Sequence, residues 1–257
     1  MNTNRHFPNA AMPPGSAAYY LVRFARPDER NRLAAWLAWF DLLENTVHRA
    51  SDPGVTRLKL DWWREEIERL AHGEAQHPLS RTLAPWTRSN DFRSPMRRAL
   101  EATGQRILQR VPDNLEDFHR QCRDEQASRL YLLASITRET PAIKALGGYL
   151  GTVVRLQCLG EDLHRHHLTL PRAFAIPGIK QLLQNQKLGP LGASLLQAAE
   201  ERLDQEASLT YPLRALLAQH RRTARLLRRH DFPTNRLLYP SPLGLLWDAW
   251  RASRQQP

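Results

Sequence analysis

The stretch that most constrains this chain runs from residue 147 to 171, GGYLGTVVRLQCLGEDLHRHHLTLP. It reads as one long helix, apolar at first and strongly charged at its C-terminal end. Glu161, Asp162, His164, Arg165, His166 and His167 crowd together there. Asp162 and His166 are four apart, so on a helix they share a face, one turn above the other. Glu44 and His48, in LENTVHR, repeat that spacing far upstream, at the end of another apolar helix. Two helices that each offer a carboxylate and an imidazole in this way are the main chemical signal in the chain.

The remaining pattern is helical throughout. Residues 1–15 are polar and proline-rich, and composition leaves them disordered, with the fold spanning residues 16–257. A helix opened by Pro27 and Asp28 carries Leu33, Trp36, Leu37, Phe40 and Leu43 as an apolar stripe. The next helix, VTRLKLDWWREEIERLAHG, is expected to turn Leu58, Trp62, Ile67 and Leu70 inward and to stop at Gly73. A helix from about Pro95 to Arg110 follows, and Asn114 is the expected N-cap of a helix reaching about Arg138. Pro141 begins the long helix and Pro171 ends it. A modest helix at 179–188 and two longer ones, LGASLLQAAEERLDQEAS and YPLRALLAQHRRTARLLRRH, come next. A loop, DFPTNRLLYPSP, leads to the closing LGLLWDAWRASR. No segment alternates with period two between hairpin turns. The expected architecture is all-α, with about eight main helices in one domain.

Composition narrows the partners. The 257 residues carry a formal charge of +11, almost all of it from arginine. Such a chain favours anionic partners: a diphosphate, an acidic lipid surface or nucleic acid. No nucleic-acid-binding motif accompanies the charge, so nucleic acid is set aside. The run QHRRTARLLRRH reads either as a solvated helix face or as a contact for an anionic membrane. The closing LGLLWDAWR reads as a cap on the bundle or as a lipid-interface anchor. Two cysteines, Cys122 and Cys158, form no CxxC motif and imply reduced, buried thiols. No signal core opens the chain and no apolar run reaches 18 residues. A cytoplasmic protein, peripheral to the inner face of a membrane at most, is the expectation.

Four pieces, in this order, resemble the squalene/phytoene synthase family, the head-to-head prenyl transferases. They are PDERNRLAAWLAWFDLLENTVH, LDWWREEIERLAHGEAQHPLSRTL, GTVVRLQCLGEDLHRHHLTLPR and LLWDAWR. The resemblance implies a single-domain helical bundle of the isoprenoid synthase type around a central cavity. It also implies two DxxxD motifs facing each other, whose carboxylates hold Mg²⁺ ions that activate a prenyl diphosphate. A hard cation takes oxygen ligands. The rest of such a cavity is apolar and aromatic, and Trp36, Trp39, Trp62 and Trp63 are candidates for its lining or for plain core.

The departures from the family fall on the chemistry. The first motif's metal aspartates become Glu44 and His48, and the aspartate beside the first becomes Asn45. The second pair becomes Asp162 and His166. Asp41, Arg155, Cys158 and Glu161 stand where the family has arginine, glutamine, asparagine and arginine, and Gln121 stands for a tyrosine. Imidazole is a poor Mg²⁺ ligand. Losing several charge-stabilising groups, at about 3 kcal/mol each, would remove many orders of magnitude in rate.

Two functions therefore stand side by side. One is a catalytically silent member that binds a prenyl chain or other lipid, or a protein partner. The sequence also resembles the mitochondrial branch associated with respiratory complex I assembly, through its second helix and its DFPTNRLLYPSPLGLLWDAWR tail. The other is an active transferase condensing C15 or C20 diphosphates with altered ligands. Glu44, His48, Asp162 and His166 are the candidate metal positions, for Mg²⁺ in an active synthase or for Zn²⁺, Fe²⁺ or Mn²⁺ if the histidines bind. The alternative for these four is drift, with each histidine hydrogen-bonded to its neighbouring acid.

Overall fold

The structure is a computed structural model. It describes residues 7–48, 52–88, 90–105, 110–136, 140–164, 168–172, 184, 186–203 and 209–255, without the side chains at 47, 48, 53 and 90. Ten α-helices and no β-strand occur among these residues. They are α1 (Ala17–Arg23), α2 (Pro27–His48), α3 (Pro53–Ala71), α4 (Pro78–Leu83), α5 (Arg93–Gln105), α6 (Leu115–Ala134), α7 (Pro141–His164), α8 (Pro190–Glu200), α9 (Tyr211–Arg229) and α10 (Pro242–Arg254).

Local chemistry sets several of the starts. Ser16 caps α1 by accepting from the Tyr19 amide at 3.1 Å. Asp52 accepts from Gly54 at 2.7 Å, with Pro53 at the first helical position of α3. Asn114 caps α6 as expected, accepting from the Asp117 amide at 2.9 Å. At the other end of α6, the buried Arg32 of α2 donates to the Leu133 carbonyl at 2.9 Å and to the Ser135 hydroxyl. It thereby supplies donors to carbonyls that the helix end leaves unmatched.

The core has two parts. One gathers α1 to α5 around Leu33, Trp36, Trp39, Leu43 and Trp63. The other gathers α6 to α9 around Phe118, Leu150, Val153, Leu156 and Leu213. Trp36, Trp39 and Trp63 pack edge to face in the first part, with Trp36–Trp39 and Trp39–Trp63 ring centroids 6.0 and 6.3 Å apart. These tryptophans are core. Trp62 is 38% exposed and Leu58 71%, against the expectation that they point inward. The buried diagonal of α3 is Leu60, Trp63, Ile67 and Leu70.

Other differences are local. Residues 7–15 lie on the bundle and carry Met12 into the core, although their composition is that of a disordered segment. The helix α5 is described to Gln105, and its expected last turn, 106–109, lies outside the described residues. The long helix α7 ends at His164, and residues 168–170 are not helical. Most of the helix expected at 179–188 lies outside the described residues.

The helices α6 and α7 share the most extensive interface of the fold. Small residues on α7 allow it. A Cβ on Gly151 would lie within 2.8 Å of the Cys122 carbonyl carbon, and one on Gly147 within 3.0 Å of the Ala127 amide nitrogen. With glycine at both places the two backbones close up, and the polar residues of α6 are brought against those of α7.

A second polar device fixes the turn between α3 and α4. Glu66 is fully buried. It accepts from the amides of Gln76 and His77 at 2.9 and 2.7 Å, and from Arg69 Nε at 2.8 Å. His77 Nδ1 then accepts from the Leu79 amide at 3.0 Å and caps α4. The histidine-proline turn is thus a structural joint.

Candidate functional site

A cavity of about 360 Å³ opens where the two parts of the core meet. Its wall takes Glu44 from α2, Thr103 from α5, Glu125 and Arg129 from α6, and Arg155 and Asp162 from α7. The position of each follows from helix geometry. Gln121, Glu125 and Arg129 are spaced by four on α6. Arg155, Cys158 and Asp162 are spaced by three and four on α7. Each set therefore lies along one helix face, which meets the cavity at Glu125 and Arg129 on α6 and at Arg155, Cys158 and Asp162 on α7.

Two partly buried ion pairs organise the wall. Arg129 donates to the Glu44 carboxylate and so ties α6 to α2. Its guanidinium also lies 5.5 Å from the centre of the Phe40 ring. Arg155, only 8% exposed, donates to the Glu125 carboxylate, to Gln121 Oε1 at 3.2 Å, and to the Thr169 carbonyl at 3.5 Å. The face of Phe118 lies 5.5 Å from this second guanidinium. Burial acts to lower the Arg155 pKa, but Cys122 and Glu125 outweigh it and hold the value above the ordinary one. Arg155 is a permanent cation here.

The candidates read from the sequence divide as follows. Glu44 and Asp162 line the same cavity, so the first positions of the two motifs do converge. Arg155, Cys158 and Glu161 line it too. Asp41 and Asn45 do not. Asn45 Nδ2 donates to Asp41 Oδ2 and to the Asp41 carbonyl, both at 2.8 Å, on the outside of α2. His48 is the last residue of α2, one turn beyond Glu44, and its side chain is not among those described. His166 lies outside the described residues. Cys122 is buried, whereas Cys158 is half-buried in the cavity wall.

Sequence reasoning missed Glu125, Arg129 and Thr169. A signal was present: Gln121, Glu125 and Arg129 share a face with a position already singled out. It had no meaning until α6 was known to pack against both α2 and α7.

The described wall differs from the all-carboxylate site that the family resemblance implies for Mg²⁺ and diphosphate. Two of its carboxylates, Glu44 and Glu125, already hold guanidinium groups. The positions one turn beyond Glu44 and Asp162 are imidazoles, which bind a hard cation poorly. Among the described residues, no group of three or more His, Cys, Asp or Glu side chains is placed to hold a metal ion. No aromatic side chain lines the described wall, unlike the cavity implied by the family, and Ala102 and Val154 are its aliphatic members.

This arrangement of helices has known counterparts. The model of the squalene/phytoene synthase family matches residues 13–244. The chain belongs to the squalene/phytoene synthase family. Among solved structures, this family member is similar to a dehydrosqualene synthase determined in complex with a ligand. The TM-score is 0.74 at 15% identity, covering 93% of this chain and 92% of that one. It is also similar to the squalene synthase HpnC from Alicyclobacillus acidocaldarius. There the TM-score is 0.57 at 18% identity, covering 92% of this chain and 87% of that one. At these identities the likeness establishes the isoprenoid synthase fold. No curated protein sequence matches the chain. No helix among the described residues is long and apolar enough to cross a membrane.

Proposed function

We propose that this family member binds a lipid or prenyl chain without carrying out head-to-head condensation, and that it serves as a carrier or as an assembly-type partner of another protein. The observation that carries this reading is the pairing of two of the cavity's four described acids: Glu44 with Arg129, and Glu125 with Arg155. A synthase of this family needs carboxylates available to metal and diphosphate together. Here two of them are already neutralised from within the wall, and the remaining motif positions include two imidazoles. Partly buried pairs of this kind are costly to break, because each leaves a charge without its match.

A second reading is an active prenyl transferase with altered ligands. It is favoured by one observation, that Glu44 and Asp162 still line one cavity.

Incubation of the purified protein with farnesyl or geranylgeranyl diphosphate and Mg²⁺ or Mn²⁺ separates the two. Diphosphate release and extracted hydrocarbon products are the readouts, with a known synthase run in parallel. The expected result is no diphosphate release, while mass spectrometry of the untreated protein detects a co-purifying lipid. Release of diphosphate that disappears in Glu44→Gln would overturn the proposal.

A further inference from the structure

A strongly basic cleft lies away from this cavity. Its volume is about 590 Å³, and residues of α7, α8, α9 and α10 line it. Among the described residues five arginines line it: Arg214, Arg221, Arg225, Arg228 and Arg251. Four of these come from α9 at positions i, i+7, i+11 and i+14, which on a helix is a single stripe. The flanking face of α9 is held in the core by Leu213, Ala224 and Leu227. The basic run that reads from sequence as either a solvated face or an anion contact is therefore folded into a concave wall.

The two acids of the cleft are already engaged. Asp248 takes Arg222 in a two-point pair at 2.6 and 2.9 Å. Glu200 takes Arg228 at 3.0 Å. The wall therefore keeps a strong excess of positive charge.

At the base of the cleft sits Tyr149 of α7, 1% exposed. Its buried hydroxyl has no hydrogen-bond partner among the described residues, and neither does Arg214 Nε. A buried polar group without a partner is disfavoured, and ordered water or a bound group can satisfy it. Burial, with Glu200 adding to it and the arginines opposing, pushes the Tyr149 hydroxyl up to about 12. It stays protonated at neutral pH and is a donor. A ligand that suits it must bring acceptor oxygens and negative charge.

We propose that this cleft is a second binding site, for a phosphate or diphosphate group, and that Tyr149 donates to the bound oxygen while the α9 arginines and Arg251 clamp the charge. Guanidinium groups suit this because their forked donors match phosphate oxygens. The group has two sources, a soluble diphosphate or the head of an acidic lipid. The lipid source gains from a neighbouring feature. Leu243 and Trp247 are exposed and share the i, i+4, i+8 line of α10 with Arg251, so apolar side chains lead to the cleft. Such a line suits the surface of a bilayer.

The test uses the full-length protein in two arms. Calorimetry measures inorganic diphosphate binding. Sedimentation with phosphatidylcholine vesicles, with and without phosphatidylglycerol, measures lipid binding. Four proteins are compared: the unaltered chain, Arg221→Gln/Arg225→Gln, Tyr149→Phe, and Arg57→Gln/Lys59→Gln, which removes the same charge from α3. Thermal unfolding confirms that each folds. The double cleft variant is expected to bind at least about tenfold more weakly, and Tyr149→Phe about threefold more weakly. The α3 variant is expected to match the unaltered chain. Binding in the diphosphate arm alone assigns a soluble ligand. Binding that requires phosphatidylglycerol assigns a lipid head group. No binding in either arm, or equal losses in the α9 and α3 variants, would overturn the proposal.

Discussion

Arg129 and Glu44, 85 residues apart in sequence, form an ion pair that joins α6 to α2 at the rim of the cavity. The pair is partly shielded from solvent, with side-chain exposures of 16% and 25%. It sits where a member of this family would be expected to present a carboxylate to metal. Its strength is therefore a measure of how far the site has changed. A double-mutant cycle with Glu44→Gln and Arg129→Gln, followed by urea unfolding, should give a coupling energy of about 1–2 kcal/mol, between the values for exposed and buried pairs. A coupling near zero would mean that the two groups do not hold each other in solution.

Glu66 should be a stability residue with no part in ligand binding. Its substitution by Gln keeps the shape and removes the charge that receives two amides and a guanidinium. Burial opposes ionisation of Glu66, but those bonds outweigh it and hold its pKa below the ordinary carboxylate value. We expect a loss of about 2–3 kcal/mol in unfolding free energy. The cavity should be unaffected, so lipid content per folded molecule should stay the same.

Gly151 and Gly148 offer a contrast along α7. Alanine at 151 would meet the Cys122 backbone, which cannot move aside as a side chain can. About 2–3 kcal/mol of stability should be lost as α6 is pushed away. At 148 the nearest atoms to a new methyl group are 3.9 and 4.0 Å away, which is ordinary contact. There the gain from replacing a mid-helix glycine, about 0.5–1 kcal/mol, should win. Denaturation midpoints that move in the same direction for both variants would contradict this packing.

Acid should weaken the fold before the carboxylates titrate. Burial presses the His119 imidazole down to about 4, with Arg202 adding to the effect and Glu116 opposing it. His220 is shifted the same way by burial. An unfolded chain binds these protons near pH 6.5, whereas the folded chain refuses them until much lower pH. The unfolded state therefore gains as pH falls, and stability declines from about pH 6.5 to about pH 4, by at most about 3 kcal/mol for His119. Glu66 and Asp117, whose pKa values are lowered, give up their contributions only below about pH 4.5. Urea midpoints at pH 7 and pH 5 should differ, and His119→Gln should shrink that difference by about half or more. An unchanged difference would count against the neutral, buried His119.

The sequence made some of this legible for clear physical reasons. The stripe of α2 was readable because Leu33, Trp36, Phe40 and Leu43 are its main apolar diagonal and are all buried. The helix α3 was not, because it carries two apolar diagonals. One, through Leu60 and Trp63, is buried; the other, through Val55, Leu58 and Trp62, is exposed. Hydropathy does not say which of the two the fold will cover. The site divides in the same way. Glu44 and Asp162 were found because helical spacing brings out each motif within its own segment. Arg129 and Glu125 have ordinary surface-like surroundings in sequence. Their roles arise only when α6 meets α2 on one side and α7 on the other.

The pairing of Arg129 with Glu44 has a consequence for control. A pocket whose charge balance depends on a mobile cation responds to the supply of that cation. A carboxylate balanced by a tethered side chain does not, because the balancing charge is delivered with every copy of the polypeptide and cannot be chelated or diluted. The charge at Glu44 is then matched at translation, by the residue encoded at position 129, whereas Glu161 and Asp162 add further negative charge to the same wall.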